Sequence, residues 1–371
     1  MKSKRDVHKP KALILSPALD AVSGVSTHAN MLLSSALAKD FDLLHFQVGS
    51  EGRLETRLQK LRRFFLSPVA LGIELLRHRP QIVHLNTSLV AKAYWRDWGY
   101  LIVAKLLGAT VINQIHGGAL PHNFFKRKRF LTWLLRRFIL WSDVVSVLSR
   151  EELQAYHEFL PQAHIAHIPN AIDPSDLLGE IHAPEHKRSL KLLYVGRLAR
   201  EKGLFEALSA LTTLRAEGRD MTFAIAGGGK DEAVLRDAVI QLGLADRVHF
   251  LGPVFGAQKH ALWREADVFI FPTYAEGLPY ALLEAMAAGT PPITCAVGAI
   301  PDVMRDGVHG LFVPVRNTQA LATAIAQLDD DRALLHRMAL AGRSQVLAHY
   351  TTARLAADFR QLYLTTYQRT T

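Results

Sequence analysis

Two carboxylates close the ends of the run Glu276-Gly277-Leu278-Pro279-Tyr280-Ala281-Leu282-Leu283-Glu284, and Glu284 is the only charged residue between Glu276 and Asp302. A carboxylate set among Leu, Ala and Met is costly to bury unless something pairs with it. The paired hydroxyls of a ribose or another sugar are natural partners, and a salt bridge at a helix terminus or a solvent-reaching helix face is the alternative. Pro279 suits the first turn of a helix, and Gly277 allows an unusual backbone just before it. Further upstream, Gly196-Arg197-Leu198-Ala199-Arg200-Glu201-Lys202-Gly203 carries the cations Arg197 and Lys202 on one loop with glycine at each end. Such a loop can hold a diphosphate, each charge-assisted hydrogen bond contributing about 1.5–3 kcal/mol. The same residues also read as a solvated loop with ordinary surface charges.

These side chains need rigid elements behind them. Short apolar runs at 12–16, 43–47, 82–86, 110–115 and 144–148 alternate with segments of helical spacing, such as 25–39 and 90–108. Beyond residue 190 the rhythm repeats, with runs at 192–195, 222–226, 248–251, 268–271, 292–294 and 311–313. Strands alternating with helices imply an α/β fold of parallel sheets with helices on both faces. The chain therefore reads as two Rossmann-like domains, joined between Ile172 and Leu190, with a final helical segment over 352–367. Ligands of open parallel sheets bind outside the carboxyl ends of the strands. Both loops described above begin there.

The first half offers two more candidates at strand ends. Val22-Ser23-Gly24-Val25-Ser26-Thr27-His28 is a glycine turn opening a helix, whose free amides can receive an anion. His116-Gly117-Gly118 follows the run 110–115, as a ligand contact or as a turn histidine capping a strand.

Taken together, Val195-Gly196-Arg197…Lys202-Gly203, Glu276-x7-Glu284, Pro169-Asn170-Ala171-Ile172-Asp173 and Ala296-Val297-Gly298-Ala299-Ile300-Pro301-Asp302 resemble glycosyltransferase family 4. These are retaining enzymes of the GT-B fold, and the resemblance covers nearly the whole chain. It implies two Rossmann-like domains facing across a cleft: residues 1–173 for the acceptor, 174–351 for a nucleotide-sugar donor, and 352–371 crossing back to the first domain. It further implies that Arg197 and Lys202 hold the donor diphosphate, that Glu284 binds the ribose and that Glu276 binds the transferred sugar. Gly277, Leu278 and Pro279 would offer backbone contacts, Pro253 and Val254 would border the nucleobase, and Gly24 and His116 would complete the site. The expected reaction moves a hexose-type sugar to a glycan or lipid-linked acceptor, in cell-surface polysaccharide assembly, with no metal and no other cofactor. The chain departs from the family in having Ser23-Gly24 for a glycine pair, Ala299 for a second glycine and Asp302 for a glutamate. Ala299 fits only if its φ is negative.

Composition agrees with a two-domain globular protein: 371 residues, 49% hydrophobic and 21% charged. The one cysteine, Cys295, allows no internal disulfide. No signal-peptide pattern or membrane span is expected, which points to a cytoplasmic protein. All the excess positive charge lies early, with 23 Lys+Arg against 13 Asp+Glu up to Asp173. The basic aromatic stretch from Phe124 to Phe138, with Arg53, Arg57, Lys60, Arg62, Arg63, Phe64 and Phe65, fits an anionic membrane surface, the inner face of the cell membrane. A buried helix face beside a solvated cluster is the plainer reading, and no nucleic-acid partner is expected. Asp329-Asp330-Asp331 reads as a helix cap rather than a metal site, and His164 and His167 fall on opposite faces of a strand. Gly227-Gly228-Gly229 lacks a dinucleotide fingerprint. A nucleotide-sugar epimerase or hydrolase, or a non-catalytic nucleotide-sugar binder, would share many of these features.

Overall fold

The computed structural model describes residues 9–53, 55–126, 128–181 and 189–370. Residues 1–8, Arg127 of the basic stretch and residues 182–188 of the expected join lie outside the described residues. The chain divides into two compact units, Met1–Ala171 with Thr352–Thr371, and Ile172–Thr351.

The first unit is built on β1 (Lys11–Ser16), β2 (Asp42–Gln47), β3 (Ile82–Leu89), β4 (Thr110–Gly118), β5 (Val144–Val147) and β6 (Ile165–His167). They form one parallel sheet in the order β2-β1-β3-β4-β5-β6. Its helices are α1 (Gly24–Ser34), α2 (Arg57–His78), α3 (Ala91–Leu106), the single turn α4 (Pro121–Phe124), α5 (Arg129–Trp141) and α6 (Arg150–Phe159). One apolar layer joins the sheet to α2, α3, α5 and α6, through Leu71, Tyr100, Leu135 and Tyr156. The opposite layer joins Ile14, Ile82 and Ile112 to Ala29 and Leu32 of α1. Nearly all of β3 and β4 is buried, as expected of central strands covered on both faces.

The second unit holds β7 (Leu190–Val195), β8 (Met221–Ala226), β9 (Val248–Gly252), β10 (Val268–Phe271), β11 (Pro292–Thr294) and β12 (Leu311–Phe312). The sheet is again parallel, in the order β12-β11-β10-β7-β8-β9. Its helices are α7 (Leu204–Ala216), α8 (Glu232–Gln241), α9 (Gly256–Glu265), α10 (Tyr280–Ala288), α11 (Ile300–Val303), α12 (Thr318–Asp330) and α13 (Arg332–His349). The last helix, α14 (Thr352–Thr370), belongs to the first unit, where Leu355, Phe359, Leu362 and Tyr363 enter the layer under α1. Each such burial contributes roughly 1.5–3 kcal/mol.

Three local outcomes differ from the sequence reading. The segment 25–39 is not one helix, because Ser35 turns extended and its hydroxyl caps Leu37 N–H, starting a separate 3₁₀ turn over Ala36–Lys39. β6 is three residues long, too short for periodicity to mark. β4 continues through His116 to Gly118, with Gly117 and Gly118 at φ 97° and 121°. A Cβ on Gly118 would stand 2.6 Å from the Leu89 carbonyl oxygen, so only glycine lets β4 keep that pairing.

Candidate active site

At the carboxyl edge of the second sheet, neighbouring loops meet through glycines. Gly227 has φ 138°, and a Cβ there would stand 1.8 Å from the Gly196 carbonyl oxygen. A Cβ on Gly229 would stand 2.2 Å from that of Leu198. The triglycine after β8 therefore lets its backbone lie against the loop after β7, and Leu198 N–H donates to the Gly228 carbonyl. Tyr194 fixes the same loop from below, its hydroxyl donating to the Arg197 carbonyl at 2.7 Å. Arg197 itself projects an exposed side chain.

Lys202 behaves differently from Arg197. It ends a 3₁₀ turn, Arg200–Lys202, followed by Gly203 at φ 73°. The turn buries Lys202 to 7% exposure, and its ammonium pairs with Glu276. The Thr273 hydroxyl donates to the same carboxylate oxygen at 3.0 Å. Two residues chosen separately from sequence are thus brought together from the loops after β7 and β10.

The segment Glu276–Gly277 is held by the loop after β11. Ala299 N–H donates to the Gly277 carbonyl, and a Cβ on Gly298, at φ 57°, would lie 2.0 Å from that of Glu276. The left-handed residue is Gly298, while Ala299 has φ −85°, so alanine at the second position carries no strain. Leu278 is buried. Pro279 is not in the first turn of α10 but precedes it, with extended backbone at φ −73° and ψ 130°. Its fixed φ serves either position, and here ψ places Tyr280 first in the helix.

Glu284 has protein partners of its own, as a carboxylate set among apolar residues requires. Its Oε1 receives a 2.7 Å ion pair from Lys259, and Trp263 Nε1 donates to Oε2 at 3.3 Å. Both partners lie on α9, a different element, so the composition around Glu284 could not reveal them. Val254, just before α9, is buried, whereas Pro253 is exposed beside Gly228.

The carboxyl edge of the first sheet has its own polar group. Ser23 caps α1 by accepting from Ser26 N–H at 3.2 Å, and Gly24 is the first helical residue. His28, one turn on, is fully buried and packs edge-on against His116, ring centroids 4.7 Å apart. Nε2 of His116 lies 2.8 Å from Asn86 Oδ1. Burial pushes the pKa of His116 down to about 3, and that of His84 likewise, so both rings are neutral at ordinary pH. His84 Nδ1 meets the hydroxyl of Tyr363 on α14 at 2.7 Å. Sequence reasoning missed Asn86, His28, Lys259 and Thr273. The polar residues that end the apolar run of β3 were the one available signal for Asn86.

Several other features have structural explanations. Asp331 caps α13 by accepting from Leu334 N–H, while Asp329 and Asp330 pair with Arg219. His167 faces the Leu148 carbonyl, and His164 is exposed beside Arg369. Burial pushes the Cys295 thiol up to about 11, leaving it protonated and inert. Among the described residues no group of three His, Cys, Asp or Glu side chains could hold a metal ion. No described helix is long and apolar enough to cross a membrane. The helix layer of α2, α3 and α5 carries a second, outward apolar surface. On α2 it includes Leu58, Phe65, Val69, Ile73 and Leu76, and on α5 the stacked pair Phe130 and Trp133.

The chain is similar to known proteins. A model described as "Glycosyltransferase Family 4" matches residues 22–176, and one described as "Glycosyl transferases group 1" matches residues 180–345. The chain is 30% identical, over 278 residues, to a GDP-mannose-dependent alpha-(1-6)-phosphatidylinositol monomannoside mannosyltransferase of Mycobacterium tuberculosis, covering 69% of this chain and 71% of that one. It is 28% identical to a glycogen synthase of the same organism, covering 77% and 69%. Among solved structures it is similar to sucrose-phosphate synthase from Thermosynechococcus elongatus, with a TM-score of 0.80 at 19% identity, covering 97% of this chain and all of that one.

Proposed function

The chain belongs to the glycosyltransferases of the GT-B fold related to family 4, and from that premise we propose that it moves a hexose from a nucleoside-diphosphate donor to a glycan or lipid-linked acceptor with retention. The observation that carries the reading is the buried pair of Lys202 and Glu276 at the carboxyl edge of the second sheet, with Arg197 on the same loop as Lys202. In this reading Lys202 and Arg197 take the diphosphate, Glu276 takes hydroxyls of the transferred sugar, and Glu284 takes the ribose. Gly277, Leu278 and Pro279 offer backbone to sugar and phosphate, and Pro253 and Val254 border the base. The second unit thus binds the donor. The first unit binds the acceptor and carries the Gly24 turn and His116 at its own carboxyl edge.

The bond from the anomeric carbon to the diphosphate oxygen breaks as the two cations stabilise the departing charge. The acceptor hydroxyl bonds to the same face of that carbon, and its proton passes to the leaving phosphate oxygen. No protein nucleophile and no metal is assigned a part. The outward apolar surface of α2, with its basic flanks, supports docking on an anionic membrane, where a lipid-linked acceptor in cell-surface polysaccharide assembly would be met.

The test is nucleotide release from UDP-, GDP- and ADP-sugars, with membrane lipid extract as acceptor. Release that needs the extract, and that collapses in Glu284→Ala and Lys202→Ala, is the expected result. Release without any acceptor would favour a hydrolase or epimerase, and binding without release would favour a non-catalytic sugar-nucleotide binder.

A further inference from the structure

Polar side chains climb one face of β3 and β4 towards the carboxyl edge. Ile82, His84 and Asn86 share that face on β3, and Ile112, Gln114 and His116 share it on β4. Asn86 is almost wholly buried and commits both ends of its amide. Its Nδ2 donates to the Leu15 carbonyl at 3.1 Å, and its Oδ1 lies 2.8 Å from Nε2 of His116. A backbone carbonyl only accepts, so the amide end facing Leu15 must be the NH₂. The end facing His116 is then the oxygen, which also only accepts, so Nε2 must carry the proton. A neutral imidazole has one N–H, and its Nδ1 is left with a lone pair.

We propose that Asn86 is the positioning residue that fixes His116 as the Nε2–H tautomer, leaving Nδ1 to accept a hydrogen bond from a ligand hydroxyl. The ligand part rests on the reading above, in which His116 belongs to the ligand site. Burial supports it by keeping the ring neutral. The titratable and charged groups around this cluster are His28 from α1, His84 from β3, and Arg354 and Tyr363 from α14. His28 also crowds the His116 ring edge-on, which opposes a ring flip. An acceptor at this position discriminates against a ligand that lacks the matching hydroxyl, because its lone pair would lose water without gaining a partner.

Long-range ¹H–¹⁵N spectra of the full-length protein, labelled at histidine, test the assignment, with His116→Gln identifying the signals. The expected wild-type pattern is a protonated Nε2 and a bare Nδ1 that persists down to pH 5. Asn86→Asp should keep Nε2–H while bringing the imidazolium in at higher pH, which adds an acid limb to the pH profile of transfer. Asn86→Ala should mix the tautomers and lower kcat about tenfold or more with less effect on donor KM. An Nδ1–H wild type, or an unmixed tautomer in Asn86→Ala, overturns the proposal. If His116→Ala transfers sugar at the wild-type rate, the ligand contact is wrong even where the tautomer is as assigned.

Discussion

Lys202 and Glu276, on loops that leave β7 and β10, form an ion pair in which both side chains are largely shielded from water. Removing one member leaves the other charged and unsolvated, whereas removing both leaves a gap without a stranded charge. Lys202→Met and Glu276→Gln should therefore each lower the unfolding free energy by about 3 kcal/mol. The double variant should lose less than the sum, with a coupling of about 1–3 kcal/mol. Urea denaturation of the four proteins measures this cycle. Additive losses would mean that the pair is not coupled in solution.

The contact between Gly298 and the Glu276 carbonyl gives a second prediction. Gly298→Ala combines a positive φ with a Cβ only 2.0 Å from a backbone oxygen, so the loop after β10 must shift. A loss of about 2–4 kcal/mol is expected from strain and the displaced backbone together. Ala299→Gly, one residue on, should cost less than about 1 kcal/mol, since φ −85° suits alanine and only unfolded-state entropy changes. Equal urea midpoints for the two variants would contradict the contact.

How much of this was legible in the sequence depended on where each signal resided. Strands such as β10 and β11 appeared as continuous apolar runs because both faces of each sheet are covered. β3 and β4 ran on past their apolar residues into Asn86 and Thr87, which keep ladder pairing, and into His116, where the register shifts. Asn86 fell inside the run 82–86, but nothing along the chain marked its amide as the partner of His116, 30 positions on. For the candidate site, Lys202, Glu276 and Glu284 stood out by type and spacing. Their partners did not, because Lys202 meets Glu276 across 74 positions and Glu284 meets Lys259 across 25. The basic residues of α2 were visible in the sequence, but only the fold shows which of its apolar residues stay outside the core.

The buried histidines set a pH dependence. His28 and His84 are fully buried, and burial lowers both pKa values, that of His84 from 6.5 to about 3. The unfolded chain therefore binds more protons than the folded one between those values, and stability falls as pH drops below about 6.5. Each histidine can remove up to about 1.4 kcal/mol per pH unit in that window. Urea midpoints at pH 7.5 and 5.5 should differ in that direction, and His84→Gln should flatten the slope by its share. A midpoint that does not move would show that the cluster is hydrated or already charged in the folded state.

The outward face of α2 gives the last prediction. Leu58, Phe65, Val69, Ile73 and Leu76 recur along one side of the helix and are exposed, while Leu71 and Leu75 on the other side enter the core. With Arg63 already paired to Glu55, the helix still carries Arg57, Lys60, Arg62 and Arg77 against a single acid, Glu74, so an anionic surface complements it better than a neutral one. Such a helix should lie in the plane of a bilayer, each basic residue near the surface adding about 1 kcal/mol. Flotation with phosphatidylcholine vesicles containing phosphatidylglycerol should carry the protein upward, and vesicles of phosphatidylcholine alone should not. Val69→Asp with Ile73→Asp, or Arg62→Glu with Arg77→Glu, should each weaken binding about tenfold or more. Wild-type protein that stays at the bottom with anionic vesicles would rule out the docking. A dimer that dissociates on the Asp substitutions would instead assign the face to a second copy of the chain.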